Sequence, residues 1–335
     1  MPKPTFSDIA RQAGVGTATV ERVLNGRGGV RPTTAERVIA AARALDYPRR
    51  LPDVHRGLLR IEVILVRPET TFYRRLSAAF ERISATLDPS VRVHRTFMDE
   101  GDPRAVAARI ASTETRRAGL VLAVPDHPAI RAAVAAAAGS GLPVVHVVTR
   151  GAAEGAGDLV SIDNYAAGRT AALFLSRMQV REGAVLALCH PIYQVHRERM
   201  RGFSDYFAEN PRDGLAFRLI GFGRDEARRS GSLLSEALEA WPDLVGLYNA
   251  GGANASLCDV LRRHPRGRQV FFVGHELTEN TAAALRDGVM SVVLDQTPEA
   301  QARRAIDLML KKIGLLDVEL DTAPIRFITV TAENL

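Results

Sequence analysis

The chain has 335 residues, of which 46% are hydrophobic and 24% charged, with a net charge of +6 and only two cysteines. That composition excludes a disordered, collagen-like or disulfide-stapled chain and fits a small domain joined to one or two larger ones. Cys189 and Cys258 stand in unrelated contexts and read as packed apolar groups, as in a reducing compartment; no apolar run reaches the ~20 residues of a membrane span, and the polar start predicts no cleaved leader.

The positive charge is not spread evenly. The first 60 residues carry eleven Lys and Arg against five acids, and residues 61–335 carry 33 of each sign, so the whole excess of +6 lies at the amino end. Such localisation points to phosphate contact. Residues 5–26 read as two short helices joined by a turn at Gly14, with Thr5 and Asp8 as a capping box. The second helix is short, basic at Arg22 and free of bulky residues at its start, as a helix that enters a DNA groove must be. Ala35, Val38, Ala42 and Leu45 form the stripe of a third helix, with Pro32 at its first position. Residues 47–57 carry proline and charge without periodicity and read as a linker.

From residue 60 apolar runs alternate with helical stretches. Strands are predicted at 61–66, 91–97, 120–124, 144–148, 185–188, 217–222, 244–248, 270–273, 291–294 and 327–330. Helices are predicted at 72–87, 103–113, 164–179, 196–209, 225–239, 253–263, 278–287 and 298–313, and Ala133–Ala138 is plain helix. This alternation predicts an α/β architecture of two doubly wound parallel sheets, with ligands at the carboxyl ends of the strands.

A helix-turn-helix head, a linker and a long doubly wound tail resemble the lactose-repressor/galactose-repressor (LacI/GalR) family of bacterial transcription factors. In the head the resemblance rests on Asp8-Ile-Ala, Ala13-Gly-Val, Ala18-Thr-Val, Arg22-Val-Leu-Asn and the stripe from Glu36-Arg-Val to Leu45-Asp-Tyr47. In the tail it rests on Ser161–Gly168, Arg197–Phe203, Tyr248-Asn249 and Phe272–Glu276, which are similar to periplasmic sugar-binding proteins. The domains expected are a DNA-binding head at 1–47, a linker or hinge at 48–59 and an effector-binding, dimerising core at 60–335. The core should split into lobes of about 60–162 plus 295–335, and 163–294.

By this resemblance Thr17, Ala18 and Arg22 reach base edges. Arg22 either donates a fork to guanine or pairs with phosphate. Thr5, Thr19 and Asn25 either touch phosphate or cap their own helices. Glu21 stands where a small hydroxyl residue is usual, and needs a cytosine amino group or a neighbouring Arg to offset repulsion from the backbone. Arg31 replaces a capping Ser, which costs the third helix a cap and offers a phosphate contact. The linker lacks the usual hinge helix, because Pro52 and Gly57 disfavour it and Arg56 is a poor wedge; Leu51 or Leu58 are the substitutes.

In the tail the resemblance implies an effector site. Phe72 and Tyr73 would stack on a sugar ring, or else serve as core at a helix start. Arg199, Asn249, Glu276 and Gln296 would supply multidentate donors and acceptors to hydroxyls. Tyr193 reads equally as a cleft or core residue. At Val148-Thr149-Arg150, where sugar binders place Asp-Arg, Thr149 or Arg150 would serve in its stead. Asp163 and Asn164 read as a helix start, with Asn164 as the cap.

No catalytic constellation is expected. His275–Glu279 lacks the second His of a zinc helix, Cys189-His190 are mere neighbours, and neither Gly221-Phe-Gly223 nor Asn249–Gly252 matches a nucleotide fingerprint. The function implied is a cytoplasmic, ligand-responsive regulator without cofactor, by default a repressor. It would bind a near-palindromic double-stranded DNA operator as a homodimer and sense a small sugar-like metabolite. The lack of a heptad tail at 331–335 argues against a coiled-coil tetramer. The alternative reading is a sugar-binding protein without sequence-specific DNA regulation.

Overall fold

The computed structural model describes residues 4–25, 27, 29–48, 58–150 and 156–335, and the chain divides into two units, 1–59 and 60–335. Linker residues 49–57, with Leu51, Pro52, Arg56 and Gly57, lie outside the described residues, and Leu58 is exposed.

The first unit contains α1 (Phe6–Ala13), α2 (Thr17–Leu24) and α3 (Pro32–Ala44). Thr5 and Asp8 form the expected reciprocal capping box at the start of α1. Gly14 ends α1 at φ 63°, where its N–H reaches the carbonyls of Ala10 and Arg11. Glycine takes that left-handed conformation without steric cost, and this permits the tight turn into α2. Ile9, Val20, Val38 and Ala42 are fully buried at the centre of the three helices.

The second unit carries two sheets. The first has β1 (Leu59–Val66), β2 (Val91–Met98), β3 (Gly119–Ala123), β4 (Val144–Val147) and β5 (Asp158–Val160), in the order β2-β1-β3-β4-β5. It is flanked by α4 (Thr71–Ser84), α5 (Pro103–Ala111) and α6 (Pro128–Gly139). The second has β6 (Gly183–Leu188), β7 (Leu215–Gly221), β8 (Leu244–Asn249), β9 (Phe271–His275), β10 (Val292–Asp295) and β11 (Ile328–Val330), in the order β11-β10-β9-β8-β6-β7. With it run α7 (Asn164–Met178), α8 (Gln194–Glu209), α9 (Ala227–Ala240), α10 (Asn254–Arg263) and α11 (Glu279–Arg286). Only β11 pairs antiparallel among the strand pairs described in this sheet. Strands such as β3 and β8 are buried along their whole length, as expected of parallel strands covered on both faces.

Two features depart from the sequence reading. The three-residue β5 is missing from it, since Asp158-Leu159-Val160 is too short to show periodicity. The return after β10 is also divided between the lobes. Helix α12 (Pro298–Lys312) packs on α4 and β4 and buries Ala302, Ile306 and Met309 in the first lobe's core. The chain then crosses back, so β11 extends the second sheet rather than the first lobe, where 295–335 was expected. Among the described residues no helix is long and apolar enough to cross a membrane.

Candidate functional site

On the head, Thr17, Ala18, Arg22 and Asn25 are exposed along α2, and Thr19 is half-buried. Thr5 is tied into its cap, and Asn25 is the C-cap of α2 through its backbone N–H. Glu21 lies 3.4 Å from Arg27, a neighbour that partly neutralises it. Arg31 is the N-cap of α3 and forms no side-chain cap bond, leaving the helix uncapped as its side chain type dictates.

The core contains a cavity of about 430 Å³ where the carboxyl ends of strands from both sheets converge. Phe72 and Tyr73, at the start of α4, form one wall with their rings edge to face at 5.4 Å. Val148 follows β4, Arg67 follows β1, Glu276 follows β9 and Gln296 follows β10, and all four line the cavity with Arg199 and Tyr193.

Arg199 is 1% exposed, and the packing of α7 on α8 explains its fixed position. Its Nε donates to Asn164 Oδ1 at 2.9 Å and its Nη1 to the Ala250 carbonyl at 2.5 Å, while Nη2 has no partner among the described residues. Asn164 is therefore not the helix cap. Asp163 caps α7 by accepting from Ala166 N, and Asn164 orients Arg199.

Glu276 Oε1 accepts from the Gln296 amide, leaving Glu276 Oε2 and Gln296 Oε1 buried without partners among the described residues. Burial, with Asp295 nearby, pushes the Glu276 carboxyl up to about 8. The Gln296 amide, Arg199 and Arg75, which comes within 3.7 Å, pull the other way but only in part, since the Arg75 N–H groups donate to Asp295, Glu299 and the Leu277 carbonyl.

A second polar cluster joins the lobes. Arg67 lies 3.2 Å from Asp225, 3.4 Å from Glu100 and 3.4 Å from Glu69. Glu100 accepts from Tyr193 Oη, and Asp225 accepts from Gly252 N at 2.9 Å. Burial opposes ionisation of Glu100, but His190, Tyr193 and Arg67 hold its carboxyl below the ordinary value. Burial also pulls His196, which faces Asp225 at 3.9 Å, down to about 4, so the ring is neutral at pH 7.

Backbone strain concentrates here. Arg67, Val148, Asp225, Ala253 and Glu276 all have φ between 51° and 71° and all line the cavity. A β-branched Val in that region is sterically costly and is held there only by its surroundings.

The expected effector residues thus divide. Phe72, Tyr73, Tyr193, Arg199, Glu276 and Gln296 meet at one cavity. Asn249 does not line it: buried, it donates to the carbonyls of Gly251 and Gly252 and to Asn254 Oδ1, and so holds the cavity-lining loop from behind. Arg150 turns instead to another groove, with Arg304 and Lys312. Thr149 is buried and does not line the cavity, and its hydroxyl has no partner among the described residues. The sequence reading missed Arg67, Val148, His196 and Asp225; for Arg67 and Val148 the position just after a parallel strand was the available signal.

Comparison with known proteins places residues 62–314 in the periplasmic binding protein domain family and matches residues 5–49 to the bacterial regulatory proteins of the lacI family. The chain is similar to the HTH-type transcriptional regulator MalR of Streptomyces coelicolor, 51% identical over 66 residues, which are 19% of this chain and 18% of that protein. It is also similar to catabolite control protein A of Priestia megaterium, 36% identical over 85 residues, 24% of this chain and 25% of that one. The chain therefore matches only about a fifth to a quarter of these relatives' length. In fold it is similar to GanP, a glucose-galactose binding protein from Geobacillus stearothermophilus, with a TM-score of 0.72, 15% identity and coverage of 84% of this chain and 99% of that one.

Proposed function

Because the chain belongs to the periplasmic binding protein domain family and carries a head matching the lacI family of bacterial regulatory proteins, we propose that it is a ligand-responsive DNA-binding regulator. The head inserts α2 into the major groove, where Thr17, Ala18 and Arg22 face base edges. Thr5, Thr19, Asn25 and Arg31 serve the DNA backbone or their own helix ends, and Arg27 partly offsets the charge of Glu21. The protein works in the cytoplasm as a homodimer on a near-palindromic operator with half-sites ~34–36 Å apart, and it represses transcription.

The core supplies the control. A small polyhydroxylated ligand fills the cavity between Phe72, Tyr73 and Val148 on the first lobe and Arg199 and Glu276 on the second. Contacts with both lobes favour the closed arrangement, and the operator affinity changes because the two states bind DNA differently. The observation that carries this reading is that Arg199 Nη2, Glu276 Oε2 and Gln296 Oε1 are buried without a hydrogen-bond partner among the described residues, on side chains that all line one cavity. Such groups are costly unless something else satisfies them.

A gel shift of the full-length protein on the region upstream of its own transcription unit tests the reading. A sequence-specific, salt-sensitive shift is expected, and its absence overturns the regulatory part.

A further inference from the structure

Arg199 is a fully buried cation whose two protein partners are both neutral: an amide oxygen of Asn164 and the carbonyl of Ala250. Among the described residues it forms no ion pair within 4 Å. Its third nitrogen, Nη2, is unpartnered at the cavity. The cavity's other carboxylates are already engaged, Asp225 by Arg67 and the Gly252 N–H and Glu69 by Arg67. The residue after β4 that lines the cavity, Val148, is apolar and adds no counter-charge. A buried charge without a counter-charge is strongly unfavourable.

We infer that the effector itself carries the missing anion: it is a polyhydroxy carboxylate, such as an aldonic or uronic acid, whose carboxylate docks on Arg199 and whose hydroxyls serve Gln296 and the cleft rim. This rests on the reading of the cavity as the effector site. Two further observations agree. The N-terminal residues of α4 and α10, Thr71 and Asn254, also line the cavity, so the positive ends of two helix dipoles face it. Glu276, pushed up to about 8, is protonated at neutral pH and offers Oε2 as a donor to a carboxylate rather than a second negative charge. Gln296 Oε1 is an acceptor that a carboxylate cannot satisfy, so the ligand needs hydroxyl hydrogens as well.

Calorimetric titration of the full-length protein at pH 7 with matched pairs tests this: D-gluconate against D-glucose, D-galactonate against D-galactose, and D-glucuronate and D-galacturonate against the same neutral sugars. At least one acid should bind ten times or more tighter than its neutral counterpart. Arg199→Met should abolish that preference. Should that variant fail to fold, Val148→Asp provides a second test: Asp tolerates positive φ better than Val, and the added negative charge on the cavity wall should weaken acid binding at least tenfold. A neutral sugar binding more tightly than its acid overturns the inference and leaves the cavity reading standing. No binding by any acid of the panel also overturns the inference. Acid binding unchanged in both variants overturns the inference and the cavity reading together.

Discussion

A β-carbon placed on Gly168 would lie 2.0 Å from the carbonyl oxygen of Arg199, because α7 and α8 cross in direct backbone contact. Gly202 is its reciprocal, with a β-carbon only 2.1 Å from the Tyr165 carbonyl oxygen. This crossing brings Asn164 of α7 onto the Arg199 guanidinium and fixes the direction in which Nη2 points. Gly168→Ala should therefore destabilise the core by about 3 kcal/mol through overpacking and weaken effector binding together with it. Urea unfolding followed by the single Trp, Trp241, reads the first effect, and an unchanged midpoint would show that the helices can part without penalty.

Arg67 and Asp225 join the two lobes from positions 158 residues apart. Replacing Arg67 by Met leaves Asp225, Glu100 and Glu69 without their shared cation, a loss of about 2–3 kcal/mol for a largely buried hydrogen-bonded ion pair. A double-mutant cycle with Asp225→Asn should show a coupling of about 1–2 kcal/mol. Strict additivity would mean that the pair does not hold the lobes.

Stability should fall as pH rises above 6.5. The folded-state pKa of Glu276 is raised from 4.5 to about 8, so the native state binds more protons than the unfolded state between those values, and stability is lost as pH climbs through that window. His196 is depressed from 6.5 to about 4, the opposite case, and its contribution is lost as pH falls below 6.5. Below pH 6.5 His275 and His146, also lowered by burial, act with His196 against Glu276; above it Glu276 dominates, with a loss of about 2 kcal/mol by pH 8. Denaturant midpoints across pH 6.5–8.5 should decline in the wild type and flatten in Glu276→Gln; parallel profiles would contradict the assignment.

The head carries a correctable defect. Arg31→Ser should supply the missing N-cap of α3 and stabilise the head by about 1 kcal/mol. If Arg31 contacts phosphate, the same change weakens binding to all DNA sequences alike and lowers the salt slope by about one ion. Arg22→Ala should instead cost about 1–3 kcal/mol at one base pair only. An equal loss on every duplex would make Arg22 a backbone contact.

Much of this was legible before the fold was known, for identifiable reasons. Helical stripes such as Ala35, Val38 and Ala42, and apolar runs such as Leu244–Tyr248, carry their periods in the sequence, and Gly14 and Thr5 announce their turn and cap. Glu276 and Gln296 came from the resemblance to sugar-binding proteins, and their place just after parallel strands agrees with the rule that such strands end at the ligand cleft. What was hidden depends on direction and distance. Asn249 follows the same strand-end rule, yet its amide turns back to hold Gly251 and Gly252, and Asn164 turns from helix start to Arg199. No local pattern reports that Arg67 meets Asp225, or that Val148 and Glu276 adopt positive φ, because the surrounding packing imposes both.

The central claim is sequence-specific docking of the head on duplex DNA. Selection of duplexes from a random-sequence pool by the full-length protein, at physiological salt and with excess bulk competitor, tests it most directly. The account predicts enrichment of one two-fold-symmetric sequence bound on the order of 10³-fold or more above competitor. A selected pool that stays random, with binding that depends on salt alone, would contradict it.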